Sequence, residues 1–199
     1  MRSDRGLDRL VTFLDAVVAI AITLLVLPLV DLVGVEGDAP RASAVLGDHV
    51  GELAVFLLSF VVIARLWVAH HALLEHAGSY DTAFLWANLG WALTIVVLPF
   101  ATQLTRSSDD TLARGVYIGT MAASAACLAL IARLLARRPA LRREDAEATV
   151  RTRPTTVTAL TFLVALVLGV AVPGVGYWGL LLLVADDRVS RWPSRTSRS

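Results

Sequence analysis

Ionisable side chains are embedded in long apolar runs of this sequence, where they could carry chemistry. Asp15 lies in the run that begins near Leu7, and His70 and His71 end the segment Trp-Val-Ala-His-His that starts at Trp67. A carboxylate or an imidazole at membrane depth is costly, and it normally faces a partner or a water-filled cavity. These residue types could join helices through hydrogen bonds, relay protons or line a path for ions.

We favour a hydrogen-bonded network between helices for these groups, because polar side chains in lipid are costly unless they are paired. Adjacent histidines on a helix point about 100° apart, so His70 and His71 are poorly placed to chelate one ion. We therefore expect no metal site at these histidines. The residues from which we expect the network to be drawn are Arg9, Asp15, His70, His71 and Asn88.

The first apolar run also has a distinct face. At about 100° of rotation per residue, Asp15 falls about 140° from Ile20, on the opposite side of the helix. Thr23, Leu24, Leu27 and Asp31 lie within about 60° of Ile20. This stripe is apolar with one threonine at its flank, and it ends in an acid that would lie at the outer mouth of a pore. Apolar stripes are common in membrane helices, so the stripe alone does not identify a pore.

Composition places these runs in a membrane. The chain is 56% hydrophobic and 18% charged, with a mean hydropathy of +0.67, whereas soluble domains are about 45–50% apolar and about 25% charged. A helix needs about 20 apolar residues to cross a bilayer. We therefore predict an all-α integral membrane protein, with residues 1–199 forming one domain of six transmembrane helices. The predicted spans are 7–33, 50–74, 82–104, 113–135, 155–172 and 177–185.

Between and after these spans we predict a polar loop over residues 34–48 and a disordered cytoplasmic tail over residues 188–199. Trp86, Trp91, Trp178 and Trp192 are candidate anchors at the membrane interface, although one or two could pack in the core. Pro99 should kink the third span and release a carbonyl for Thr102 or a neighbouring helix.

The distribution of arginine predicts the orientation. The N-terminus, residues 133–153 and the tail are rich in arginine, whereas residues 31–48, around the loop between the first two spans, contain one arginine and four acids. Because cytoplasmic loops carry an excess of basic residues, we expect both termini in the cytoplasm and the protein in the cell membrane. The sequence has no glycine-rich phosphate loop, nucleophile elbow or paired catalytic carboxylates, so we do not expect an enzyme.

Three segments, in order along the chain, resemble one known family. Residues 9–15 read Arg-Leu-Val-Thr-Phe-Leu-Asp and residues 19–27 read Ala-Ile-Ala-Ile-Thr-Leu-Leu-Val-Leu, which is similar to the first-helix signature of the bacterial transmembrane protein 175 family. The Trp-x-x-His-His pattern of residues 67–71 resembles the second-helix pattern of that family. Asn-Leu at 88–89 and Leu-Pro-Phe-Ala-Thr at 98–102 resemble the third. The resemblance covers about half of the chain, and Leu14 departs from it because the family signature has serine there.

The resemblance implies a six-helix subunit that assembles as a homotetramer around a central potassium pathway lined by the first helices. By position, Ile20, Leu24 and Leu27 would form the apolar constriction, with Thr23 as the selectivity layer. It also brings Trp67 into the polar network. No Thr-Val-Gly-Tyr-Gly filter is present, so we expect a modest preference for potassium over sodium. The expected partners are other copies of the chain and the lipid bilayer, with no nucleic acid; K⁺ is the permeant ion and no cofactor is expected.

Two alternatives remain open. A proton-coupled or proton-conducting transporter could use Asp15, His70 and His71 as a relay, although alternating-access carriers often contain inverted repeats and broken helices, and neither is evident here. The other alternative is a structural membrane protein without transport activity. Ohmic currents that are independent of a proton gradient would distinguish a channel from a transporter.

Overall fold

The computed structural model describes residues 4–31, 42–107 and 111–143, which are helical almost throughout. The elements in order are α1 (Asp4–Leu24), α2 (Leu27–Val30), α3 (Ala42–Asp48), α4 (Val50–Leu74), α5 (Thr82–Ser107), α6 (Thr111–Arg137) and a 3-10 turn (Pro139–Leu141). Four segments are long and apolar enough to cross a bilayer: Arg5–Val30, which joins α1 and α2, and the helices α4, α5 and α6. The chain is therefore a multi-pass membrane protein.

The first four predicted spans coincide with these four segments, and their bounds differ by a few residues. The prediction of a loop over residues 34–48 is wrong for its second half, because Ala42–Asp48 forms α3. The fifth and sixth predicted spans, 155–172 and 177–185, and the tail at 188–199 lie outside the described residues.

The first span tightens near its far end. The amide of Leu25 donates to the carbonyl of Ile22 and that of Val26 to the carbonyl of Thr23, so the chain makes i→i−3 bonds before α2 begins. Pro28 lies in the first turn of α2. Proline has no N–H, and its ring clashes with the carbonyl four residues earlier. The i→i−4 ladder therefore cannot run unchanged through this point, and the span divides into α1 and α2.

α1 packs against α5 and α4 along one face only. The buried residues of the segment recur every three or four positions, as one side of a helix requires; they are Leu7, Leu10, Leu14, Val18, Ala21 and Leu25. Leu14 is fully enclosed. The position that holds serine in the family signature is therefore a packing position here.

α5 and α6 make the most extensive helix pair of the described structure. Small residues allow such backbones to approach closely in a membrane, and a Cβ atom at Gly90 of α5 would lie 3.6 Å from the sulfur of Cys127 on α6. Pro99 lies inside α5, which remains helical on both sides of it. The carbonyl that the proline releases is that of Ile95, and we expected either Thr102 or a neighbouring helix to satisfy it. The hydroxyl of Thr102 donates to the carbonyl of Leu98 instead, at 2.9 Å.

One end of the helix bundle is held together by contacts between loops. We call it the Arg-rich end: the first turns of α1, the link 75–81 and residues 133–143. Ala77 and Arg142 form an antiparallel bridge, and the amide of Gly78 donates to the carbonyl of Leu141 at 2.9 Å. A Cβ atom at Gly78 would lie 2.9 Å from the Cα atom of Arg143, so this close approach requires glycine.

Candidate ion pathway and the buried polar contacts

The face of α1 and α2 that points away from the other helices is apolar and exposed. The exposed fractions are 59% for Ile20, 42% for Leu24 and 56% for Leu27, whereas that of Leu25 is only 5%. Phe13, seven residues before Ile20, is 52% exposed and shares its face, since seven residues make almost two helical turns. The sequence analysis did not include Phe13 in the stripe, although the seven-residue spacing 13, 20, 27 would have indicated it.

Polar atoms on this face are sparse. The Thr23 side chain is exposed and its hydroxyl donates to the carbonyl of Ile20 at 2.8 Å, which leaves the lone pairs of the oxygen available on the surface. Asp31 is exposed just after the end of α2. From Phe13 to Asp31, an ion moving along this face would therefore meet apolar side chains, one hydroxyl oxygen and, at the far end, a carboxylate.

Asp15 lies on the other side of the same helix. Its carboxylate accepts a hydrogen bond from the indole Nε1 of Trp67 on α4, with 2.8 Å between the heavy atoms. Both side chains are partly buried. A hydrogen bond to an ionised group is stronger than a neutral one, so this contact ties α1 to α4 in the middle of the bundle.

His70 and Asn88 form a second, fully buried contact between α4 and α5. Nε2 of His70 lies 2.7 Å from Oδ1 of Asn88, and Nδ2 of Asn88 donates to the carbonyl of Phe84 at 2.8 Å. Because Nδ2 of the Asn88 side chain donates to the carbonyl of Phe84, Oδ1 of the same side chain faces the imidazole of His70. This oxygen must therefore accept the hydrogen bond between the two side chains. This arrangement assigns the hydrogen to Nε2 of His70.

Trp91 completes this buried cluster. Its ring stacks on the His70 ring with 3.7 Å between centroids and 2° between planes, and its side chain is fully buried. Of the four candidate anchors, Trp91 is therefore one that packs in the core, whereas Trp86 on the same helix is 67% exposed. Trp91 faces α4 because it lies three residues after Asn88 and shares its face of α5.

The other two residues of the expected network lie at its edge. His71 is exposed, its Nε2 is 3.7 Å from a carboxylate oxygen of Glu75, and its ring is 5.2 Å from that of Trp67. Arg9 is exposed near the start of α1. The structure thus brings Asp15 to Trp67 and His70 to Asn88 as two separate contacts, and it places Arg9 and His71 outside them.

A family model described as the endosomal/lysosomal potassium channel TMEM175 matches residues 9–99. Residues 9–99 make up just under half of the chain, and over them the chain is similar to the TMEM175 family. A potassium channel of Streptomyces collinus is 33% identical over 97 residues, which are 48% of this chain and 46% of that protein. A potassium channel of a Chryseobacterium species is 31% identical over 97 residues, with the same coverage of both chains. The human endosomal/lysosomal proton channel TMEM175 is 29% identical over 103 residues, which are 52% of this chain and 20% of that protein.

The TMEM175 segment contains all the candidate site residues. It runs from Arg9 on α1 to Pro99 on α5, and it includes the exposed stripe, the partly buried Asp15–Trp67 contact and the buried His70–Asn88 contact. The matched region spans about half the length of the two bacterial relatives. TMEM175 proteins are cation channels of membranes, and the bacterial relatives carry the name potassium channel while the human one carries the name proton channel.

Proposed function

We propose that this chain is the subunit of a potassium channel in the cell membrane, with a modest preference for potassium over sodium. Four copies would assemble around an axis, each contributing α1 and α2 to the wall of the pore. The observation that carries the proposal is the exposed apolar stripe of Ile20, Leu24 and Leu27, on a helix whose opposite face is buried. It lies within the TMEM175 segment.

In the proposed pore, bulky apolar side chains narrow the pathway and exclude water from it. Ile20 and Leu27 are seven residues apart, so the layers extend over about 10 Å along the helix. Rings of such side chains around one axis exclude water when they are close together, and hydrophobic constrictions gate channels in this way. An ion passes when the helices move apart. Thr23, between the layers, offers its hydroxyl oxygen to the partly dehydrated ion.

The proposed orientation has the Arg-rich end in the cytoplasm, with Asp31 at the outer mouth of the pore. In that position its carboxylate concentrates cations at the entrance. A reporter fused after Arg143, at the end of the described residues, should then be cytoplasmic. If that reporter is external, the orientation is the reverse of the proposed one, and Asp31 lies at the cytoplasmic end of the pore.

The test of the proposal compares two β-branched residues on opposite faces of α1. Ile20→Ala shortens an exposed residue of the stripe and should raise cation flux several-fold and weaken the preference for potassium. Val18→Ala shortens a buried residue, 3% exposed, and should leave flux and selectivity unchanged. Flux is measured from potassium-loaded liposomes into external sodium or an impermeant cation. Equal flux through the two variants would show that α1 does not line the pathway.

Proton conduction is the second candidate, and the name of the human relative favours it. Asp15, His70 and His71 would have to act as the relay. However, Asp15 accepts from Trp67 and His70 donates to Asn88, while His71 lies at the edge of the bundle beside Glu75. Potassium current in symmetrical solutions without a pH gradient supports the potassium channel. Current that requires a pH gradient and is lost in His70→Phe supports the proton pathway.

A further inference from the structure

A cavity of about 320 Å³ lies at the Arg-rich end, between the first turns of α1 and the last turn of α4. Its apolar wall is formed by Leu7, Val11 and Leu74, of which Leu7 and Leu74 are buried in the bundle. Leu74 is the last residue of a membrane-length helix, so the cavity lies at the level where hydrocarbon gives way to water. Its size falls at the lower end of the range of small-molecule sites, about 300–1,000 Å³.

Charged groups of both signs line the same cavity. Asp8 of α1 and Glu75 of the link bring two carboxylates to its lining, and Arg143 brings a guanidinium. The imidazole of His71 also belongs to the lining, and its Nε2 is 3.7 Å from a carboxylate oxygen of Glu75. Two carboxylates and one guanidinium leave a net negative charge, which disfavours a ligand that is purely anionic. A simple cation would satisfy the carboxylates and offer nothing to Arg143. The charges therefore fit a ligand that carries a cation and an anion a few bonds apart.

The acceptors indicate what kind of cation fits. Thr12 lines the cavity, and its hydroxyl donates to the carbonyl of Asp8 at 2.8 Å, so its oxygen can accept a further hydrogen bond. Together with the carboxylates of Asp8 and Glu75 it makes three acceptor groups, and a primary ammonium has three N–H donors. A quaternary ammonium has the same charge but no N–H to donate.

We propose that this cavity binds the head group of a phospholipid that carries a phosphate and a primary ammonium, as phosphatidylethanolamine does. The ammonium lies against Asp8, Glu75 and Thr12, and the phosphate lies against Arg143. The acyl chains leave along Leu7, Val11 and Leu74. This site is separate from the exposed stripe of α1 and does not depend on the proposed channel function.

The first test compares three lipids with identical acyl chains on the purified full-length protein, by native mass spectrometry after delipidation and controlled addition. We expect phosphatidylethanolamine to be retained several-fold more than phosphatidylcholine, which lacks N–H donors, and more than anionic phosphatidylglycerol. Equal retention of the three lipids, or a preference for phosphatidylglycerol, overturns the proposal. Soluble glycerophosphoethanolamine should bind more weakly than the lipid; if it binds more tightly, the ligand is not a membrane lipid.

The second test locates the site. The double variant Asp8→Asn/Glu75→Gln should lower retention of phosphatidylethanolamine to the level of phosphatidylcholine, and Arg143→Gln should lower retention of both phosphate-bearing zwitterions. The matched control is Asp81→Asn, which removes a carboxylate at the same end of the bundle but outside the cavity, and it should retain the wild-type preference. A preference that survives the double variant contradicts the assignment. If that variant does not fold, the comparison of the three lipids on the wild-type protein still tests the proposal.

Discussion

The two faces of the first span differ in burial, although both run along the same segment of the chain. The inward face, with Leu14, Val18 and Leu25, is enclosed by α4 and α5, and Asp15 is tied to Trp67. The outward face carries side chains just as apolar, with Ile20 among them, but nothing within the described residues covers it. Composition alone does not distinguish these faces. The inward face makes its contacts within the chain, whereas the outward face is not covered by the described helices.

Because of this difference, the buried residues of the first span should matter for stability and the exposed residues for function. A buried residue stabilises the subunit through contacts that are lost when its side chain is shortened. An exposed residue contributes little to the stability of the described helices, so its apolar side chain is available to contact lipid or other copies of the chain. Substitutions on the two faces should therefore affect different measurements, and each prediction below compares them at a chosen pair of residues.

The largest effect is expected for Leu25→Ala compared with Leu24→Ala. The two leucines are adjacent, but Leu25 is 5% exposed and Leu24 is 42% exposed. Shortening a buried leucine costs about 2–5 kcal/mol of unfolding free energy, whereas an exposed position usually changes it by about 0.5 kcal/mol or less. Thermal unfolding of the purified protein in detergent measures the difference. Equal losses in the two variants would show that an oligomer encloses both faces alike.

A somewhat smaller effect is expected at the His70–Asn88 contact. Asn88→Leu leaves the Nε2–H of His70 buried with no acceptor, and an unsatisfied buried group costs about 1–3 kcal/mol. Adding His70→Phe removes the other partner and retains a ring to stack on Trp91. We therefore expect the double variant to recover part of the lost stability in thermal unfolding, since replacing both partners by apolar groups can be nearly neutral.

The exposed hydroxyl of Thr23 provides the control for this pair. It also bonds within the first span, to the carbonyl of Ile20, but no burial is involved, and Thr23→Val should change stability by about 0.5 kcal/mol or less. If the double variant at His70 and Asn88 is less stable than Asn88→Leu alone, the imidazole has a second buried role that the hydrogen bond does not explain.

The sequence predicted what depends on local periodicity and hydropathy. The four described spans follow from the length of their apolar runs, and the separation of Asp15 from Ile20 follows from 3.6 residues per turn. The role of Ile20, Leu24 and Leu27 in a pore stays a prediction, because the structure of one chain contains no axis around which they would meet.

What the sequence could not predict depends on contacts between distant residues. The pairing of the link 75–81 with residues 138–143 joins two segments that no repeat or shared pattern connects. The burial of Trp91 depends on stacking against His70, a ring on another helix. Helix α3 lies in a stretch whose charged residues indicated a loop.

The smallest effect is expected outside the membrane-spanning segments, at Asp81. Its carboxylate accepts a hydrogen bond from the amide of Phe84 at the start of α5, and it forms an ion pair with Arg138. The amide of Phe84, and then Arg138, lower the pKa of Asp81 below its ordinary value of 3.8. A carboxylate whose pKa is lowered by folding stabilises the protein above its unfolded-state pKa, and this contribution is lost as the pH falls through the folded-state pKa.

Asp81→Asn keeps a capping side chain but removes the charge, so it should cost less than about 1 kcal/mol at neutral pH, as exposed ion pairs do. The difference in thermal stability between wild type and Asp81→Asn should shrink as the pH is lowered from 7 to about 3. A difference that stays constant or grows in acid would show that the charge of Asp81 does not hold the Arg-rich end together.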